Sequence, residues 1–195
     1  MKNRTTLIVI IALVALIVLW GVNIHNSLVK KEERVDSQWA NVETSYQRRA
    51  DLIPNLVSTV KGYADFEQET LTQVIEARAN ATSMNINADN LTPENLQQFQ
   101  AAQDQLSSAL SRLLVTVERY PELKANQNFL ELQSQLEGTE NRISVERRKF
   151  NEFAQDFNST IRQIPRNIIA GISGFEKKAY FASAAGAETV PEVTF

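Results

Sequence analysis

The chain of 195 residues has no cysteine and one histidine, His25. Without cysteine there is no disulfide framework, thiolate zinc site, iron–sulfur cluster, cysteine nucleophile or lipid-anchoring thiol. One imidazole cannot build a multi-histidine metal centre, and it leaves a Ser-His-Asp triad nearly without material. Glycine and proline are also scarce, six and five residues, which points to long helices and few turns. A net charge of −3 gives no excess of positive charge for a nucleic-acid backbone. The 23 carboxylates are not forced together by any spacing, so neither a metal cluster nor another cofactor is expected. What remains is a foldable composition, 43% hydrophobic and 22% charged, with little catalytic equipment.

Thr5 to Ile24 carries no charged residue, and Leu7 to Leu19 is entirely aliphatic. As a helix those 20 residues cover ~30 Å, the thickness of a bilayer's hydrocarbon core. Trp20 stands at the end of the run, where interfacial aromatics gather. The rival reading is a cleaved secretory signal, but no small-x-small cleavage site follows the run, so an uncleaved anchor is expected. Lys2 and Arg4 before the span nearly balance Lys30, Lys31 and Arg34 after it, so the positive-inside count gives no orientation.

Beyond the anchor the apolar residues repeat at helical spacing. One stripe runs from Leu28 through Val35, Trp39, Val42, Tyr46, Arg49, Ile53, Leu56, Val60, Tyr63, Leu71 and Val74 to about Ala81. Pro54 interrupts it, either kinking one helix or starting a second with Asp51 as its cap; the unbroken phase favours the kink. Thr92-Pro93-Glu94 is an N-cap, a first-turn proline and a first-turn acid. A 3/4 seam follows through Leu96, Phe99, Gln103, Leu106, Leu110, Leu113, Val117 and Tyr120, stopped by Pro121. The third seam is Phe129, Leu132, Leu136, Thr139, Ile143, Glu146, Phe150, Phe153, Phe157, Ile161 and Ile164, ended by Pro165. The expected fold class is all-α: an N-terminal transmembrane helix, then an antiparallel bundle of three to four long helices with coiled-coil-like seams. The expected division is 1–27 anchor, 28–183 bundle and 184–195 flexible tail. A short element around 167–181 is expected to add a layer.

Arg49 and Glu146 fall on apolar seams. A lone charge in a core costs several kcal/mol, so the two are either a buried pair or residues that reach solvent at the bundle edge. The basic run Arg147-Arg148-Lys149 has Glu146 and Glu152 beside it and reads as a solvated helix face. Val190 to Phe195 is β-prone and suits either strand addition to a partner or a tail without fixed structure.

The run Tyr46-Gln47-Arg48-Arg49-Ala50-Asp51-Leu52-Ile53-Pro54-Asn55-Leu56-Val57, followed by Val60-Lys61-Gly62-Tyr63, resembles the signature of the LemA family of bacterial membrane proteins. Arg78, Glu118 to Ala125, Glu140 to Arg147, Phe150-Asn151, Phe157-Asn158, Gly174-Phe175 and the ending Pro191-x-Val193-x-Phe195 extend the resemblance over nearly the whole chain. Phe150 and Phe157 stand where the family often has tyrosine before asparagine, which leaves no hydroxyl there. The resemblance implies a single-pass protein of the cell (inner) membrane with a helical bundle and no established catalytic activity. In the family's usual description the short N-terminus lies outside and the bundle in the cytoplasm. It also implies, as association only, a membrane metalloprotease of the HtpX type or a TPM-domain protein as partner.

The function expected is a membrane-anchored scaffold or adaptor, not an enzyme and without cofactors. Its partners are the lipid bilayer, a membrane-associated protein and a second copy as a homo-oligomer, with no nucleic acid. The candidate contact residues are Arg48, Arg49, Asp51, Asn55, Lys61 and Tyr63, polar groups around the proline kink. Pro191, Val193 and Phe195 are the candidate tail contact. Equally open is that the same cluster only secures the kink, with Asp51 as cap, Arg49 as ion-pair partner and Tyr63 in the core. The alternatives are a transmembrane sensor subunit, or a carboxylate-based metal enzyme that a stoichiometric bound metal would reveal.

Overall fold

The computed structural model describes residues 2–63, 67–84, 86, 88 and 91–182, all helix or connection with no strand among them. Among the described residues six helices follow one another: α1 Lys2–Lys61, α2 Gln68–Ser83, α3 Pro93–Val117, α4 Pro121–Lys124, α5 Gln127–Arg162 and α6 Arg166–Ser173. The 60 residues of α1 make a rod of about 90 Å. Its first third stands clear of the rest. From Leu7 to Leu19 the large apolar side chains are 54–65% exposed, and the segment is long and apolar enough to cross a membrane. A helix that is apolar all round and unpacked by protein is suited to a lipid environment.

The remainder of α1 enters a bundle of four long helices, with α5 antiparallel beside it and α2 antiparallel to α3. Lys31 pairs with Asp156, and Gln38 donates to the carboxylate of Glu146 at 2.7 Å. Arg119 pairs with Glu67 at 2.7 Å and Asn80 donates to Gln105 at 3.1 Å across the second pair. The core divides into two clusters. The anchor-proximal one holds Trp39, Phe99, Phe150, Phe157 and Phe181; the distal one holds Ile53, Leu56, Leu113, Leu123 and Phe129. Trp39 is the hub of the first, 5.5 Å from Phe99, 5.7 Å from Phe150 and 6.0 Å from Phe181 between ring centres. Its indole N–H donates to the Ile86 carbonyl at 2.9 Å, so the buried donor is satisfied.

The first helix ends earlier than its stripe suggests. It stops at Lys61, and α2 starts at Gln68. Gly62 and Tyr63 tighten the last turn with bonds to the carbonyls of Thr59 and Val60. The stripe keeps its phase because both segments bury their apolar face in the same distal cluster, Val60 from one side and Leu71, Val74 and Ala77 from the other. Pro54 does not break α1.

The start of α3 is as read: the Thr92 side chain accepts from the Asn95 N–H, with Pro93 in the first turn. Asn126 caps α5 in the same way through Phe129 N–H. Two seam positions face outward instead of inward. Phe153 is 37% exposed because Ala154 takes the buried place beside Phe150 and Phe157, and Ile164 lies past the end of α5 at 83% exposure.

Candidate functional site

The two clusters are separated by a polar layer, and the layer is written into each helix. On α1 Arg49 stands between Tyr46 and Ile53, on α3 Gln103 between Phe99 and Leu106, and on α5 Glu140 between Leu136 and Ile143. The Arg49 guanidinium is 1% exposed. One terminal nitrogen donates to Ser107 Oγ at 2.7 Å and to Glu140; the other donates to Gln103 Oε1 at 2.6 Å and to the Gln103 carbonyl at 3.3 Å. Its face lies 5.2 Å from the Tyr46 ring centre. Gln103 then donates to the Ala81 carbonyl at the end of α2, so one guanidinium gathers all four long helices.

Arg49 and Glu146 are therefore both buried, but they do not pair with each other. The carboxylate on Arg49 is Glu140, 43% exposed. Glu146, 2% exposed, holds Gln38, Arg142 at 2.7 Å and Lys149 at 3.5 Å. The Gln38 hydrogen bond, helped by the two cations against the cost of burial, holds the Glu146 carboxyl below its ordinary range.

The six candidate residues do not form one site. Arg48, Asp51 and Asn55 line an open groove of about 800 Å³ between α1 and the α2–α3 pair, with Glu43, Phe99 and Met84 on its walls. Burial pushes the Glu43 carboxyl above its ordinary range. Arg48 also borders a second cavity of about 490 Å³ between α1 and α5, with Ser45, Gly138, Thr139 and Arg142. Arg49 is the core node. Lys61 and Tyr63 lie at the far end of α1, where the Tyr63 hydroxyl accepts from Asn126 at 3.0 Å. Asp51 is not a helix cap; it accepts from Gln47 at 2.8 Å within α1. Pro191, Val193 and Phe195 lie outside the described residues.

The freed backbone at Pro54 is served by Arg78, a residue whose place on α2 gives no sequence signal of that role. Proline has no N–H to donate to the carbonyl four residues back, that of Ala50. Arg78 on α2 donates its Nε to that carbonyl at 2.7 Å.

The short element expected around 167–181 is α6 over its first half only, and a non-helical strap over the rest. After α6, which Gly174 closes at φ 76°, residues 175–182 leave the helical conformation and lie along α5. Asn158 donates to the Lys178 carbonyl at 2.8 Å and accepts from its N–H at 2.9 Å; Asn151 does the same for Phe181 at 3.0 and 2.9 Å. Seven residues of helix and three of extended chain each rise ~10 Å, so two asparagines two turns apart meet strap residues three apart. Gln100 on α3 clasps Ala182 likewise, at 3.4 and 3.2 Å. The Lys178 ammonium reaches Glu32 at 2.9 Å and Asp36 at 3.4 Å. Burial disfavours its charge, but the two carboxylates outweigh that and raise its pKa.

Among the described residues no three or more His, Asp or Glu side chains gather as a metal site. The geometry thus defines a class: a four-helix bundle on a helix that carries a membrane-spanning length of apolar residues. The chain belongs to the LemA family, whose model matches residues 38–195. It is similar to Protein LemA of Metamycoplasma hominis, 26% identical over 145 residues, 74% of this chain and 63% of the relative. It is similar also to Magnetosome protein MamQ 2 of Paramagnetospirillum magneticum, 25% identical with 85% and 67% covered, and to Magnetosome protein MamQ of Magnetospirillum gryphiswaldense, 24% identical with 80% and 64% covered. The chain spans roughly two thirds of the length of these relatives.

Proposed function

We propose that this chain is a single-pass inner-membrane scaffold of the LemA type, without catalytic activity, that holds its bundle at a fixed attitude to the bilayer and offers it to a membrane-associated partner. The observation that carries this is α1, one helix from the apolar segment into the bundle. A continuous helix transmits orientation where a flexible linker does not. On this reading 1–27 is the anchor, 28–183 the bundle and 184–195 the tail. The groove beside Arg48, Asp51 and Asn55 is the contact surface, because it is open, mixed in polarity and built on rigid helices. A membrane metalloprotease of the HtpX type, a TPM-domain protein and a second copy are the partners to look for.

The test is affinity capture of the full chain from native membranes in mild detergent, beside Arg48→Glu and beside a chain lacking 190–195. A stoichiometric partner lost with Arg48→Glu supports the groove. A partner lost only with the truncation moves the contact to the tail, and no partner in any arm contradicts the scaffold reading.

A second reading rests on the same helix. A rod that crosses from membrane to bundle also suits a sensor subunit, in which motion of the span reaches the polar layer at Arg49. It requires two arrangements of the bundle, seen as two sets of exchange rates in the layer with and without a stimulus.

A further inference from the structure

The apolar residues of α6 leave one face uncovered. Ile168 and Ile172, spaced four apart, are 58% and 80% exposed, and Ile164, in the turn just before α6, is 83% exposed. Ile168 and Ile172 therefore share one side of α6. The opposite side is fixed to α1 where the apolar segment ends. Ala170 is buried, the Cβ position of Gly21 lies 3.6 Å from the Ile169 side chain, and His25 Nδ1 is 3.0 Å from Ser173 Oγ. The Phe175 ring centre stands 5.5 Å from that of His25. The exposed isoleucines therefore lie at the level of Trp20 to His25, the boundary of the spanning stretch.

Their surroundings select the occupant. Arg162, Arg166 and Lys177 flank the stripe, against Glu176 alone among acids from Arg162 to Lys177. Arg162 and Lys177 are exposed. A short amphipathic helix with isoleucines on one face and cations at its ends is built for the boundary between headgroups and acyl chains. We propose that α6 lies in the membrane interface, with Ile164, Ile168 and Ile172 entering the outer acyl region and Arg162, Arg166 and Lys177 meeting anionic headgroups. This rests on the reading of the apolar segment of α1 as a membrane span, and it makes α6 a second point of contact. One helix through a bilayer leaves a bundle free to tilt; a second contact beside it fixes the tilt and the rotation.

The absence of cysteine makes the test direct. Single substitutions Ile164→Cys, Ile168→Cys and Ile172→Cys are labelled with an environment-sensitive fluorophore in the full chain. Val14→Cys in the apolar segment and Val115→Cys, an exposed apolar site on α3, are the references. All are reconstituted in vesicles of phosphatidylcholine and phosphatidylglycerol and quenched with lipids bearing nitroxides at shallow or deep acyl positions, or with aqueous iodide. Expected is severalfold stronger shallow-nitroxide quenching of the labels on α6 and at Ile164 beside it than of Val115→Cys, with protection from iodide. If these labels behave like Val115→Cys while Val14→Cys is quenched by deep nitroxides, the proposal fails and the anchor stands. If these labels are shielded from both quenchers, protein covers the stripe and the bilayer assignment is wrong. If Val14→Cys itself escapes the nitroxides, the membrane reading and the proposal fall together.

Discussion

The Nε of Arg78 donates at 2.7 Å to the carbonyl of Ala50, the acceptor that Pro54 leaves without its helical donor. A proline that looks like a helix break is thereby carried inside a 60-residue helix by a side chain from the next helix. The bond also fixes the rotation of α2 against α1.

A double-mutant cycle tests this relationship. Arg78→Ala orphans the Ala50 carbonyl and costs about 1–2 kcal/mol of stability. In a Pro54→Ala background, residue 54 regains the N–H that serves that carbonyl, and the cost of losing Arg78 shrinks. A coupling of about 1 kcal/mol is expected from denaturant melts of the four proteins. Purely additive effects would mean that Arg78 acts elsewhere.

Arg49→Ala removes the group that joins all four long helices and leaves Gln103 buried with its oxygen unpaired. A loss of about 3 kcal/mol is expected, against less than about 0.5 for the exposed control Arg112→Ala. Arg49→Lys rescues little, because a single ammonium cannot address Ser107, Glu140 and Gln103 from one plane. Equal melting temperatures for the alanine variants would remove the polar layer from the account.

Acid lowers stability through Glu146. Its carboxyl pKa lies below the unfolded value of 4.5, set first by Gln38 and then by the cations Lys149 and Arg142. The folded state thus binds fewer protons than the unfolded chain around and below pH 4.5, so this contribution is present above that pH and is lost as pH falls through the folded pKa. Glu146→Gln is expected to flatten the acid limb of the stability–pH curve relative to the unaltered chain. An unchanged acid limb would show that Glu146 titrates as it does when unfolded.

The asparagine clasp makes its own prediction. Asn158→Leu removes both bonds to Lys178 and leaves that backbone without partners on α5. Amides 176–182 should then exchange faster and the strap should be cut more readily by protease, while α2 and α3 keep their protection. Unchanged exchange of the strap would mean that Phe181 against Trp39 and Phe150 suffices to hold it.

Much of this molecule is legible in the sequence because long amphipathic helices advertise their buried face by spacing. The seam from Leu96 to Val117 is buried at each position read from it, and Thr92-Pro93 begins its helix as written. The turn after Lys61 is less visible because Val60 and Leu71 serve one core, so the stripe never loses phase. Spacing puts Arg49 on a seam but leaves open whether it is buried or reaches solvent, and it gives no sign of Glu140 as partner, because spacing within one helix says nothing of register between two. The strap lay beyond such reading as well. Asn151 and Asn158 are ordinary polar residues on α5 until a non-helical segment comes to lie across them.

The measurement that bears most directly on the central claim, a bundle held rigidly on its membrane helix, is a spin-label distance in lipid nanodiscs. Labels at Val14→Cys in the apolar segment and Ala40→Cys on an exposed face of the bundle part of α1 lie on one unbroken helix, 26 residues apart. At the rise of a helix the separation is about 39 Å. A single narrow distribution near that distance is the result this structure predicts. A broad distribution, or one centred well below it, would show a joint between anchor and bundle and contradict the rigid rod.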